Sequence, residues 1–198
     1  DYQYPNYSGV TYVNLPQEMP ELVAFKERHK DKIWNDDSDF LQNAVRFSHK
    51  VFAQYHASKL GKKFMWLDAD NIFMKQFPDN YIDTFIPDDI FTTFYGRDHY
   101  TECGVVGFNC TLDISKKFFD IYLSHYTKDT IYNLPNKTDC HAFDNTRKLV
   151  QVKERNKNDG HGGHIIARDK EINPYIDHKK GKRKYKDNSP EWVRQTNG

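Results

Sequence analysis

Lys63-Phe64-Met65-Trp66-Leu67-Asp68-Ala69-Asp70-Asn71-Ile72-Phe73 carries the strongest local pattern in the chain. Large apolar and aromatic residues, which suit a pleated strand, run as far as Leu67 and stop at two carboxylates one residue apart. The pattern predicts a short buried strand that delivers Asp68 and Asp70 at its carboxyl end, the place where ligands sit in open α/β sheets. Side chains alternate along a strand, so these two aspartates share a face and repel unless a cation or a proton lies between them. Oxygen donors suit a hard cation, Mg²⁺ or Mn²⁺, and Mg²⁺ commonly combines one or two carboxylates with substrate phosphates. The plain alternative is a surface turn carrying two solvated aspartates. The apolar run in front favours a pair at the edge of a core.

Outward from that stretch, the chain offers one domain's worth of material. It has 198 residues, enough for a real core. Aromatics make up 15% of it, which argues against disorder even with 29% charged residues. The net charge of +1 gives no global field that would draw nucleic acid or a membrane surface. Three cysteines, Cys103, Cys110 and Cys140, show neither a CxxC pair nor a short Cys/His spacing. They read as packing residues, with a reducing, cytoplasmic setting as the default. No run of 18 apolar residues marks a membrane span. The chain opens on Asp1 rather than Met. The expectation drawn from this is a domain trimmed at its N-terminus, with an upstream strand and an anchor or signal missing.

Before the opening stretch, Val10 to Leu15 reads as a short strand and Pro20 opens a helix that fades near Lys32. The clearest helix runs from Asp39 to Leu60, with apolar residues at helical spacing, a cap from Asp37 or Ser38, and Gly61 as its stop. Arg46 and Lys50 lie four apart on it, either as a solvated cationic face or aimed at an anion such as phosphate. After the opening stretch come a short helix near Asn80 to Phe85, a strand at Ile90 to Tyr95, and a strand at Val105 to Asn109. An amphipathic helix starts at Asp113 or Ser115, and another spans Asp139 to about Glu154. Ile165 to Ala167 and Ile172 to Ile176 read as extended pieces. Strands and helices in this order argue α/β with a mixed sheet.

Four further groups bear on chemistry. Asp177-His178-Lys179-Lys180-Gly181-Lys182-Arg183-Lys184 is a cationic run. Such runs are usually solvated tails or nucleic-acid patches, but here a histidine heads it and a glycine interrupts it. A ring nitrogen can ligate a metal, glycine lets backbone approach a phosphate, and lysines neutralise a diphosphate. Glu102, at a strand mouth, either hydrogen-bonds a sugar hydroxyl or is a surface glutamate. Asp139 either caps its helix or serves as an acceptor-binding carboxylate or general base. Gly160 to His164 reads as a mobile loop, a candidate lid.

Taken together, these residues resemble the GT-A class of nucleotide-sugar glycosyltransferases. The resemblance rests on Phe64 to Asp70, on Glu102-Cys103-Gly104-Val105-Val106-Gly107-Phe108-Asn109, and on His178 with Gly181 and its lysines. It covers about Asp39 to Lys186, and the His-x-x-Gly-x-x-Lys spacing looks most like the retaining, glycogenin-like branch. Lys184-Tyr185-Lys186 stands where that branch has Lys-Pro-Trp. The resemblance implies a mixed central sheet flanked by helices, lacking its first strand, with residues 156–198 as a loop and phosphate-clamping tail. It implies Mn²⁺ or Mg²⁺ on Asp68, Asp70 and His178. A nucleoside-diphosphate-sugar donor would lie against Arg46, Lys50, Asp68, Ala69, Asp70, Lys180, Gly181, Lys182 and Lys184, with Asp139 or Glu102 orienting acceptor or sugar. The acceptor would be a hydroxyl of a glycan, lipid or protein. Two other readings compete. One is a phosphohydrolase of the haloacid dehalogenase type, which also starts on an apolar strand and Asp-x-Asp but has a late acidic motif where this chain has lysines. The other is a non-catalytic carbohydrate- or nucleic-acid-binding domain.

Overall fold

A computed structural model describes residues 7–32, 37–158 and 165–179. Seven helices and six strands occur among them: α1 (Leu15–Glu18), α2 (Pro20–Arg28), α3 (Ala44–Ser58), β1 (Lys63–Leu67), β2 (Asn71–Phe73), α4 (Tyr81–Phe85), β3 (Thr92–Tyr95), β4 (Glu102–Asn109), α5 (Ile114–Thr127), α6 (Asp139–Val150), β5 (Glu154–Asn156), α7 (Ile165–Arg168) and β6 (Ile176–His178). The architecture is mixed α/β. A four-stranded sheet in the order β1-β4-β3-β5 forms the centre, and β2 and β6 make a separate two-stranded ribbon. β4 runs antiparallel to both β1 and β3, and β5 joins β3 in parallel.

β4 is the axis of the fold, and all eight of its residues are buried. Val106 and Phe108 enter the larger core, beside Phe52 from α3, Phe118, Phe119 and Tyr122 from α5, and Phe143 from α6. Val105 points the other way, into a smaller core with Tyr81, Phe85, Ile86, Tyr95, Ile165 and Ile176, as the two-residue alternation of a strand requires. Fully burying one such ring contributes about 2 kcal/mol of transfer free energy. Gly107 lies against the smaller core, where an added Cβ would meet Ile86 Cγ1 at 2.6 Å. The β3–β4 register shifts between Thr93 and Tyr95. Across that irregularity alternation fails, and Cys103, three residues before Val106, sits in the same larger core.

Several elements differ from the sequence reading. Val10 to Leu15 is not a strand; only Leu15 is regular, as the first residue of α1. Val10, Tyr12 and Val13 are 45–50% exposed, because no described strand pairs with them and a β-rich pattern alone does not hold an isolated strand. α3 is shorter than expected. A 3-10 segment (Asp37–Gln42) precedes it, and its cap is Asn43, whose side chain accepts from Arg46 N at 3.0 Å. Gly61, at φ +63°, does stand just past the end of α3. α6 ends at Val150 because Gln151 takes a left-handed conformation, and the chain then extends into β5. Ile165–Arg168 is a helical turn rather than an extended piece, and of 172–176 only Ile176 is in a strand. β1 is half-buried throughout, not buried, since it is the outer strand of its sheet.

Candidate functional site

The β1–β4 register sets Leu67 opposite Val105. The chain leaving β1 therefore passes Gly104, and Asp68 N donates to Gly104 O at 3.0 Å. A tight turn follows. Asn71 N donates to Asp68 O at 3.0 Å, and Asn71 Nδ2 bonds Asp68 O at 2.8 Å and Gly104 O at 3.2 Å. The turn feeds β2, which pairs with β6 so that Asn71 faces His178 across the ribbon. Lys179 N closes the end of the ribbon on Asp70 O at 3.0 Å.

This pairing brings His178 to the two aspartates. His178 Nε2 lies 3.0 Å from Asp70 Oδ1, and one ligand atom from each of Asp68, Asp70 and His178 falls within a 4.8 Å cluster. Two ligands at right angles on a cation at about 2.1 Å stand about 3 Å apart, so the Asp70–His178 spacing fits neighbouring positions on Mg²⁺ or Mn²⁺. Two carboxylate oxygens and one imidazole nitrogen suit such an ion.

The imidazole is seated by a missing side chain. A Cβ on Gly104 would lie 2.2 Å from His178 Cε1 and within 3 Å of both ring nitrogens. Glycine in a strand often marks such a close approach. On the far side, His178 Nδ1 is buried and makes no hydrogen bond among the described residues, and Glu102 Oε1 is the carboxylate facing it at 3.9 Å. Histidines that bind metals commonly turn their second nitrogen toward a carboxylate. Glu102 is itself fixed, accepting from Gly104 N at 3.1 Å and paired with Arg97. Gly104→Ala should expel the ring. The expected outcome is a 10–100-fold loss of Mn²⁺ affinity, the scale for disturbing a ligand's support, with the His178 ring resonances shifted in the metal-free protein.

Lys50 reaches this site from α3. Its Nζ lies 2.7 Å from Asp68 Oδ1 and 2.9 Å from Asp139 Oδ2. Burial works against its charge, but the Asp139 and Asp68 carboxylates outweigh it and hold the ammonium well above the usual lysine range. Trp66 Nε1 donates to the same Asp68 Oδ1 at 2.7 Å. Both donors take Oδ1, which leaves Oδ2 as the Asp68 atom for a metal. The anion that Lys50 meets among the described residues is thus a pair of carboxylates rather than a phosphate.

The remaining predicted residues divide. Arg46 does not join the cluster. It is exposed in the first turn of α3, with its guanidinium 4.7 Å from the centre of the Phe40 ring. Asp139 is no open acceptor-binding group, since its side chain is 3% exposed and is tied to Lys50. Nor does it cap α6, a role taken by Thr138, whose hydroxyl accepts from His141 N. Glu102 is a buried support of His178 rather than a carboxylate at an open mouth. Ala69 lies in the turn between the two aspartates. Lys180, Gly181, Lys182 and Lys184, and the loop 160–164, lie outside the described residues.

Sequence reading missed Trp66, Gly104 and Arg97 as members of the site. Trp66 had a signal, being two residues before Asp68 on the same strand face. Gly104 was legible as a close approach without its partner, and nothing local links Arg97 to Glu102. No helix among the described residues is long and apolar enough to cross a membrane. No family model, curated protein or solved structure matches the chain.

Proposed function

We propose that this chain is a metal-dependent glycosyltransferase of the GT-A type, moving a sugar from a nucleoside-diphosphate-sugar to an acceptor hydroxyl of a glycan, lipid or protein. The observation that supports it best is the meeting of His178 with Asp68 and Asp70, because these are the residues at which sequence alone put the two halves of a diphosphate–metal site. A bound Mn²⁺ or Mg²⁺ would supply Lewis-acid neutralisation of the charge that develops on a leaving diphosphate. Asp68, Asp70 and His178 would hold it. Lys50 and Trp66 fix Asp68, and Glu102 and Gly104 seat His178. Lys180, Lys182 and Lys184 follow directly in sequence and supply the cationic charge for the phosphates, and Gly181 among them lets the backbone come close to a phosphate. Leaving-group stabilisation of this kind needs no enzyme nucleophile, so Asp139 acts by holding Lys50 in place.

A thermal-shift screen of nucleoside diphosphates and their sugars, with and without Mn²⁺, tests this reading. Stabilisation by one nucleotide family only when Mn²⁺ is present is expected, since a ligand bound to the folded state at 100 times its Kd adds about 2.7 kcal/mol. Nucleotide-sugar binding that is indifferent to Mn²⁺ and survives Asp68→Asn with Asp70→Asn would sink it.

A further inference from the structure

Cys103 and Cys140 are distant in sequence but meet beside the site. Cys103 lies in β4 between Glu102 and Gly104 and is 3% exposed. Cys140, the second residue of α6, is half-buried. The two sulfurs lie within 4.8 Å of each other, in one cluster with a carboxylate oxygen of Asp139. Cys140 Sγ donates to Asp139 Oδ2 at 3.7 Å. Cys110 stands apart from them, beside Ser115.

We propose that Cys103 and Cys140 form an oxidisable dithiol, converted to an intramolecular disulfide by a small organic disulfide. With the sulfurs no more than 4.8 Å apart, side-chain rotation and a small approach of α6 to β4 bring them to the bonded separation of about 2 Å. Exposure sets the order of events. Cys140 is the sulfur that an oxidant reaches, while burial pushes the Cys103 thiol up and keeps it protonated until the second step. Cys140 gives up its proton and attacks one sulfur of R–S–S–R, forming Cys140–S–S–R and releasing the first RSH. Cys103 then loses its proton and attacks the Cys140 sulfur, displacing the second RSH. Two thiols and one R–S–S–R become one protein disulfide and two RSH, and two electrons pass from the cysteine pair to the oxidant. A thiophilic metal held by the two sulfurs and Asp139 is the other use of this cluster. It is disfavoured because Asp139 Oδ2 is already engaged by the Lys50 ammonium at 2.9 Å and the Cys140 thiol at 3.7 Å. The bond would join β4 next to Glu102 to α6 next to Asp139, linking the support of His178 to the support of Lys50.

The test incubates the folded full chain with glutathione disulfide, counts free thiols and maps linked peptides by mass spectrometry. The three free thiols should fall to Cys110 alone, with the Cys103 and Cys140 peptides joined and separated again by dithiothreitol. Cys140→Ser should abolish the link and leave Cys103 reduced. Three thiols surviving in the folded chain, a link that forms only in urea, or Cys110 reacting in place of the pair would each overturn the proposal. So would zinc binding stoichiometrically to the pair and protecting it, which would make the cluster a metal site.

Discussion

Asp70→Asn removes Mn²⁺ binding while leaving the fold intact. Asparagine keeps the shape of the side chain but loses the charge, and its amide has only one oxygen to offer. Disturbing a group that merely supports a ligand costs 10–100-fold in metal affinity, so replacing the ligand itself should weaken Mn²⁺ by at least about 100-fold. Stability should change by no more than about 1 kcal/mol in the metal-free protein, because losing the contact with His178 is offset by relief of the Asp68–Asp70 repulsion. Asp68→Asn should behave differently. Its Oδ1 holds Lys50 and Trp66, so both affinity and stability fall. Calorimetric Mn²⁺ titration of the two variants, each paired with a urea unfolding curve, separates these outcomes. An Asp70→Asn protein that binds Mn²⁺ as tightly as the parent would remove Asp70 from the metal site.

Lys50→Met destabilises the chain by about 3–5 kcal/mol, the scale for leaving one partner of a buried ion pair uncompensated. Methionine fills the volume of the lysine stem, so the loss is charge rather than packing. The abandoned group is Asp139, whose side chain is 3% exposed and would face Asp68 with no cation between them. Lys50→Met with Asp139→Asn should recover a large part of the loss, since neutralising both sides removes the stranded charge. A single variant within about 1 kcal/mol of the parent would mean that the pair contributes little. The pH dependence follows from the direction of the shift. Lys50 has its folded value raised, so its contribution is fully present below the unfolded lysine value of about 10.4 and is lost as pH climbs above it. Tyr95, Tyr122 and Tyr126 are held neutral by burial, which raises them too. Unfolding lets them ionise above about pH 10, so they act in the same alkaline window. The Cys103 and Cys110 thiols are raised by burial as well and ionise on unfolding above about 8.5, so the parent should show flat stability from neutral pH to about 8, a gentle decline above that and a steep fall beyond 10, which Lys50→Met should soften.

The strand-to-carboxylate stretch was legible because its signal is local. An apolar run that ends at Asp-x-Asp dictates a strand and a turn whatever surrounds it, and β1 and its turn stand where that pattern puts them. β4 and the helices that cover it were legible for the same reason, within a few residues at the ends. Pairing was not legible. Nothing near Val10 reveals that no described strand lies beside it, and nothing near Leu67 reveals that β1 stands at the edge of its sheet. The direction of a long side chain was equally hidden. Arg46 and Lys50 are one helical turn apart and alike in sequence, but one lies over Phe40 in solvent and the other is drawn inward by two carboxylates. Only the partners decide this, and Asp139 comes from an element far along the chain. Asp139 itself was read as a cap or an acceptor group because its local setting, the start of a helix, carries no sign of the lysine that claims it.

The β2–β6 ribbon has a consequence for how this site comes and goes. Three residue pairs join the two strands, and they stand outside the four-stranded sheet that anchors the larger core. Short ribbons of this size are marginal by themselves, and this one is buried only on its β6 side, since Ile72 and Phe73 of β2 are exposed, so β2 is the side that opens at lower free energy. The turn that carries Asp70 can therefore part from His178 as β2 opens, while β4, α3 and α5 stay folded. The three candidate ligands are thus held by strands of unequal burial, and amide exchange at Asn71 would report that opening well before exchange in β4.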